Sequence, residues 1–190
     1  LATTMAKRDL AKLVELIERL DDLWPEARNH ILDHLKSDVV VSMPEADRVK
    51  LWTKLVDLVS KHRKFADAKW AMKPDDVNEI ACIAEKLVPT TIIYRHQRLF
   101  IERDFDLFEE KGDWKAQQKA IDEVRQRAVA EVFKEGGLEE VIKFAKIVES
   151  PWRVGFAFGG IAPDDADSYV LPALLESEEK SIMQFIGGFI

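Results

Sequence analysis

The sequence predicts an all-α fold, an array of antiparallel helix hairpins forming a HEAT/TPR-like right-handed superhelix or an irregular α-bundle. Three observations carry this. Apolar residues recur at spacings of three and four along nearly the whole 190-residue chain. The intervals between those stretches hold helix-start and helix-stop residues, such as Pro25, Pro74 and Pro151, or paired acidic residues and glycines. Gly and Pro number only 8 and 7, too few for an all-β chain full of tight turns.

In the first helix Leu10, Leu13, Val14, Ile17 and Leu20 make the buried stripe, and Asp21-Asp22 interrupts it. Pro25 opens a second helix that Ile31, Leu32 and Leu35 carry to Ser37, so the two read as a hairpin. Val39-Val40-Val41 is β-branched but too short between helical signals to be a strand, and reads as a connector. Ser42-x-x-Glu45 has the form of a capping box, in which each side chain satisfies an orphan amide. Val49, Trp52, Leu55, Val56 and Val59 then face inward, and Lys61-His62-Arg63-Lys64 complements the dipole at that helix's C-terminus.

Phe65 to Lys73 is a loop carrying Trp70. Pro74-Asp75-Asp76 starts a helix with Val77, Ile80, Ala81, Ala84 and Leu87 inward, closed by Pro89. A helix follows around Ile92–Ile101, then an irregular acidic stretch from Arg103 to Lys111. Asp113 caps a long helix with Ala120, Val124, Ala128 and Val132 inward, and Gly136-Gly137 ends it, since glycine tolerates the left-handed conformation used there. Leu138–Glu149 makes another helix, broken at Ser150-Pro151, and three more run around Trp152–Ile161, Tyr169–Glu176 and Glu178–Ile190. The expected division is a helical domain over residues 1–135 and helix-pair repeats over 136–190.

The repeat reading rests on an echo. Glu149-Ser150 precedes an apolar helix that ends Phe158-Gly159-Gly160-Ile161, and Glu176-Ser177 precedes one that ends Ile186-Gly187-Gly188-Phe189. The Glu-Ser pairs stand 27 residues apart and the glycine pairs 28, and a period in this range marks stacked helix pairs. The paired glycines then have a packing role, because two helix backbones without side chains between them approach closely.

Composition bounds the function. The chain is 47% hydrophobic and 33% charged, the balance of a globular protein large enough to bury a core without disulfides or metal. Its single cysteine, Cys82, suits a reducing compartment, and a cytoplasmic location is expected; flanked by Ile80 and Ile83, it reads as a small core residue. The formal net charge of −7 argues against a chain built to hold phosphate backbones. Residues 136–190 hold four Lys/Arg against nine Asp/Glu, a net of −5 out of that −7. No apolar run reaches the length of a membrane span. The apolar run Phe185–Ile190 and the start at Leu1 raise the expectation of a segment excised from a longer chain.

Candidate chemistry is sparse. His30 and His34 stand i,i+4 with Glu26 a turn earlier, which is zinc-ligand spacing without a third ligand in reach. Asp164-Asp165-Ala166-Asp167 lacks the glycine and distal Glu of a calcium loop and reads as helix-capping carboxylates. Two basic clusters, residues 61–64 and 95–98, are candidates for nucleic-acid binding, the second with Tyr94 and Phe100 beside it to stack a base. The five tryptophans fall near helix starts and breaks, which suits packing at the hinges between helices. No catalytic residue, cofactor site or metal site is assigned.

Two resemblances add expectations. Arg28-Asn29-x4-His34 resembles the Arg-[Asn/Asp/His]-x4-His signature of HEPN-type ribonucleases, which are also all-α. That resemblance implies His34 as acid/base or orienting group and Arg28 as the phosphate-stabilising cation. The string lies near the N-terminus, whereas the family places it late in a four-helix bundle. More broadly, Met43 to Phe158 resembles helical regions of large, mostly uncharacterised bacterial multidomain proteins. Leu51-Trp52, His62-Arg63-Lys64-Phe65-Ala66-Asp67-Ala68, Gly136-Gly137-Leu138 and Val148-Glu149-Ser150-Pro151-Trp152 carry that likeness. It implies a scaffold or sensor arm, with any catalytic part outside this segment. Together with the echo, the apolar end and the sparse chemistry, the expectation is a non-catalytic scaffold, interaction or regulatory segment binding a protein partner or a neighbouring domain.

Overall fold

A computed structural model describes residues 2–102 and 113–190, and among these it is all-α, with no strand. The acidic stretch expected to be irregular lies outside the described residues. The helices are α1 (Ala2–Glu18), α2 (Pro25–Leu35), α3 (Asp38–Val41), α4 (Glu45–Lys64), α5 (Pro74–Lys86), α6 (Ile92–His96), α7 (Trp114–Ile147), α8 (Pro151–Gly159), α9 (Asp167–Leu174) and α10 (Lys180–Phe189). Single 3-10 turns occupy Leu20–Asp22 and Gln97–Phe100.

Local chemistry sets most of the boundaries. Pro25, Pro74 and Pro151 each occupy the first turn of a helix, where the missing N–H would have no partner and the fixed φ already suits the helix. Asp113 caps α7 as expected, accepting from the Lys115 backbone N–H at 3.0 Å. Within α7 the helical course breaks at Gly136 and at Gly137, whose φ of 64° and ψ of −157° an L-residue adopts only under strain.

Two local expectations are corrected. Ser42 and Glu45 do not form a capping box: the Ser42 N–H closes α3 on the Asp38 carbonyl and the Met43 N–H on that of Val40, and Pro44 stands at the start of α4 with no side-chain cap. Glu45 Oε1 instead accepts from the Thr90 amide and hydroxyl, 45 residues away. The Asp164–Asp167 carboxylates likewise cap nothing, since Ala166 precedes α9 without a side-chain bond.

The described residues divide into two compact units, residues 2–90 and residues 91–102 with 113–190. In the first, α4 packs on α1 and α5, and α2 on α3 and α5. Its core joins Ile17 and Leu20 to Leu32, Leu35, Val40, Leu51, Leu55, Ile80 and Leu87. Each such residue fully withdrawn from water contributes about 1.5–3 kcal/mol. The stripe of α4 is rotated from the expected one, with Leu51, Leu58 and His62 buried and Trp52 at its margin. On α5 the core takes Val77, Ile80, Ile83, Ala84 and Leu87, which turns Cys82 to solvent and not inward.

In the second unit α7 packs on α6, α8 and α10, and α10 also on α8 and α9. The division expected at residue 135/136 falls inside this unit's core. Val129 and Val132 before the glycine break share one apolar cluster with Val141, Phe144 and Ala145 after it. Phe100 meets Phe144 edge-on at 5.0 Å, and Phe158 contacts Phe133, Phe185 and Phe189 at centroid distances of 5.3, 6.1 and 5.7 Å. Ala120 faces solvent, while Arg125 takes a buried position on the same helix.

The two halves of the sequence echo, α8 and α10, pack directly on each other. A Cβ at Gly155 would lie 1.9 Å from the Phe185 carbonyl oxygen, and one at Gly188 would lie 1.9 Å from that of Trp152. The packing role expected of the paired glycines therefore falls to Gly188 and, less tightly, to Gly159, whose Cβ would lie 3.1 Å from the Phe189 carbonyl oxygen, and Gly155 shares it. Gly187, the other member of the second pair, faces open space.

Candidate functional site

The ribonuclease-like string does not assemble. Six residues of helix turn Arg28 and His34 about 120° apart around the axis of α2. Arg28 points inward across to α5, where Nη1 donates to Asp76 Oδ2 at 2.6 Å, and Nη2 donates to the Leu23 carbonyl at 3.2 Å. His34 lies on the solvent face with His30 and Glu26. No group of three or more His, Cys, Asp or Glu among the described residues can hold a metal ion.

The basic clusters belong to different units, and each is tied into its own. In the first, Lys61 Nζ donates to Asp21 Oδ2 at 2.6 Å and stands 5.2 Å above the centre of the Trp70 ring. His62 is buried, accepting the Met72 N–H on Nδ1 at 3.0 Å. Its Nε2 lies 3.3 Å from Asp21 Oδ2, close enough for attraction but outside hydrogen-bonding geometry. Burial pushes the His62 imidazole below its ordinary value, against the opposing pull of Asp21. For Asp21, burial acts upward, but the Lys61 hydrogen bond and charge outweigh it and hold the carboxyl below its ordinary value.

In the second cluster His96 Nε2 and Glu131 Oε2 stand 2.9 Å apart, and Gln97 Nε2 donates to the Ile147 carbonyl at 2.7 Å. Phe100, expected to stack a base, is fully enclosed by the core. That position is occupied by apolar packing and offers no face to a ligand.

A cleft that sequence reasoning missed lies between α7 and α8. Gln118, Asp122 and Arg125 line it from α7, and Trp152, Arg153, Phe156 and Ala157 from α8. Its volume is about 190 Å³, below the roughly 300 Å³ at which small-molecule pockets begin and suited to one inserted side chain. Arg125 is 2% exposed; its Nε donates to the Leu99 carbonyl at 2.8 Å, and its guanidinium stands 5.9 Å over the Phe100 ring. Gln118 Nε2 donates to Asp122 Oδ1 at 3.2 Å. Arg153 lies 4.6 Å over the Trp152 ring, and its Nη2 donates to the Glu102 carbonyl at 3.2 Å. The polar wall is thus fixed by its own bonds, while the aromatic rim is open.

Trp70 packs on His62 and Phe65 at the loop between α4 and α5, as expected of a hinge tryptophan, whereas Trp24, Trp114 and Trp152 depart from that expectation. Trp24, Trp70, Trp114 and Trp152 are between 44% and 73% exposed. Trp24 immediately precedes α2, and Trp114 and Trp152 stand at the first and second positions of α7 and α8, past the edge of the core those helices bury. Trp152 and Phe156, 44% and 55% exposed, are i,i+4 neighbours on one face of α8. The sequence signal for this rim is Trp-x-x-x-Phe on a helix whose Val154, Ala157 and Phe158 are buried. Arg125 had no such signal, because a charged residue ordinarily faces water.

Compared with family models, curated proteins and solved structures, the chain finds no match. No helix among the described residues is long and apolar enough to cross a membrane.

Proposed function

We propose that this chain is a non-catalytic interaction segment that binds a protein partner at the α7–α8 cleft, one partner side chain inserting beside Trp152 and Phe156. The carrying observation is the pair of large aromatic rings left exposed at the rim of a cleft sized for a side chain. Trp and Arg are enriched among residues that dominate binding energy, and here a Trp rim stands over walls that include Arg125 and Arg153. A protein partner fits better than a nucleic acid. Asp122 lines the cleft, residues 136–190 carry a net of −5, and Lys61 and His96 already face carboxylates of the chain itself.

The test is site-directed photo-crosslinking from position 156, with the same crosslinker at Trp24 as the comparison. The expected outcome is a protein adduct that depends on position 156 and maps to one segment of the partner. Trp152→Ala should then weaken binding of that purified partner at least about tenfold by calorimetry, about 1.4 kcal/mol. Equal labelling from both positions, a nucleic-acid adduct, or unchanged affinity in Trp152→Ala overturns the proposal.

A further inference from the structure

The loop between α4 and α5 closes over a histidine used in a way that only its neutral form permits. His62, on the last turn of α4, has a side chain with no solvent exposure. Its Nδ1 accepts the Met72 backbone N–H at 3.0 Å, so the ring proton sits on Nε2, the nitrogen facing Asp21. The Trp70 ring, midway along the loop, stands edge-on to the imidazole at a centroid distance of 5.6 Å and tilted against Phe65 at the same distance. The Met72 side chain packs on the core of the unit, which anchors the end of the loop independently of the imidazole.

A second proton has no place in this arrangement. It would sit on Nδ1, directly opposite the Met72 N–H, putting two donors face to face where a donor and an acceptor had met. The resulting cation would also have to share its counter-ion with Lys61. Asp21, the carboxylate whose charge is felt at His62, already holds Lys61 at 2.6 Å. Lys61 from α4 and Arg28 from α2 also face the imidazole, both positive and both opposing its protonation. Arg28 is in turn held by Asp76.

We propose that residues 65–73 form a proton-operated latch: neutral His62 holds the loop closed through the Met72 amide, and protonating His62 releases it and lifts Trp70 away.

The sign follows from the linkage. His62 takes a proton less readily in the closed state than when open, since burial lowers its value from the ordinary one of about 6.5. The open state therefore binds more protons, and the closing free energy is complete above about pH 6.5 and falls as the pH drops below it. Asp21 acts in the same direction, but its carboxyl lies below the ordinary carboxylate value, so its window lies further to the acid side. Release through His62 thus precedes acid unfolding through Asp21.

The experiment is fluorine NMR of the chain labelled with 5-fluorotryptophan, titrated from pH 7.5 to pH 4, with the five resonances assigned by single Trp→Phe variants. The expected result is a reversible one-proton shift of the Trp70 resonance with a midpoint below 6.5, while the Trp24, Trp114 and Trp152 resonances stay in place. His62→Gln should abolish that transition. Asp21→Asn should move it to lower pH, because the attraction favouring the imidazolium is lost; this variant serves if His62→Gln fails to fold. A Trp70 resonance that does not titrate overturns the latch. So does one that moves only together with the other four, or a midpoint unchanged in Asp21→Asn.

Discussion

Replacing Gly155 by alanine tests the α8–α10 seam most directly. The new Cβ would lie 1.9 Å from the Phe185 carbonyl oxygen and 2.9 Å from the Phe189 nitrogen, both backbone atoms that no side-chain rotation can move. A carbon–oxygen contact settles at about 3.3 Å, so the helices must part by roughly 1.4 Å at that point. A gap of that size forfeits more than half of each dispersion contact bridging the seam, including those of Phe158 with Phe185 and Phe189. Overpacking of this kind costs about 1–3 kcal/mol, and backbone-limited cases fall at the upper end. Alanine returns about 1 kcal/mol through its better helix propensity, leaving a net loss of about 2 kcal/mol. Gly187→Ala makes the same chemical change on the same pair of helices, but its Cβ meets nothing within 4 Å. It should be neutral or stabilising by up to about 1 kcal/mol. Urea unfolding followed by far-ultraviolet circular dichroism measures both. Equal midpoints for the two variants, or a loss in Gly155→Ala below about 0.5 kcal/mol, would refute the account of the seam.

Two further substitutions separate structural roles from catalytic ones. Arg28→Met should lower stability by about 1–2 kcal/mol, because it removes a largely buried donor from the half-exposed Asp76. His34→Ala on the solvent face should stay within about 0.5 kcal/mol of the parent, and thermal melts of both variants check the contrast. Arg125→Met should cost about 1–3 kcal/mol by leaving the Leu99 carbonyl without its donor, read as a lower urea midpoint with an unchanged slope; an unchanged midpoint would show that water replaces the guanidinium at no penalty.

What was legible in the sequence was mostly what neighbouring residues decide. Proline at a first turn, Asp113 before a long apolar-periodic run, and glycine where φ is positive act within four residues of themselves, and each falls where the helices begin or break. The failures lie at longer range. Glu45 has the right spacing from Ser42 for a box, but Thr90 supplies two donors from 45 positions away, and Pro44 moves the helix start by the residues that mattered. Arg125 is buried where a carbonyl 26 residues earlier accepts its Nε–H, a partner no local pattern shows. Cys82 between two isoleucines looked internal, yet 100° per residue carries it round to the side of α5 that faces water. The candidate site was hidden for the same reason. Its walls come from residues 118–125 and 152–157, and only the packing of α7 on α8 brings them together.

The glycine seam bears on the cleft from behind. Gly188 sits against the backbone of Trp152 and Phe156, so the peptide groups carrying the two exposed rings are pinned by a neighbouring helix and not merely by their own hydrogen bonds. Rings mounted on so fixed a rail lose little backbone freedom on meeting a partner. Preorganisation of this kind leaves more of the contact energy to appear as affinity. It also makes α10, which contributes no residue to the cleft, a determinant of how sharply the cleft is shaped.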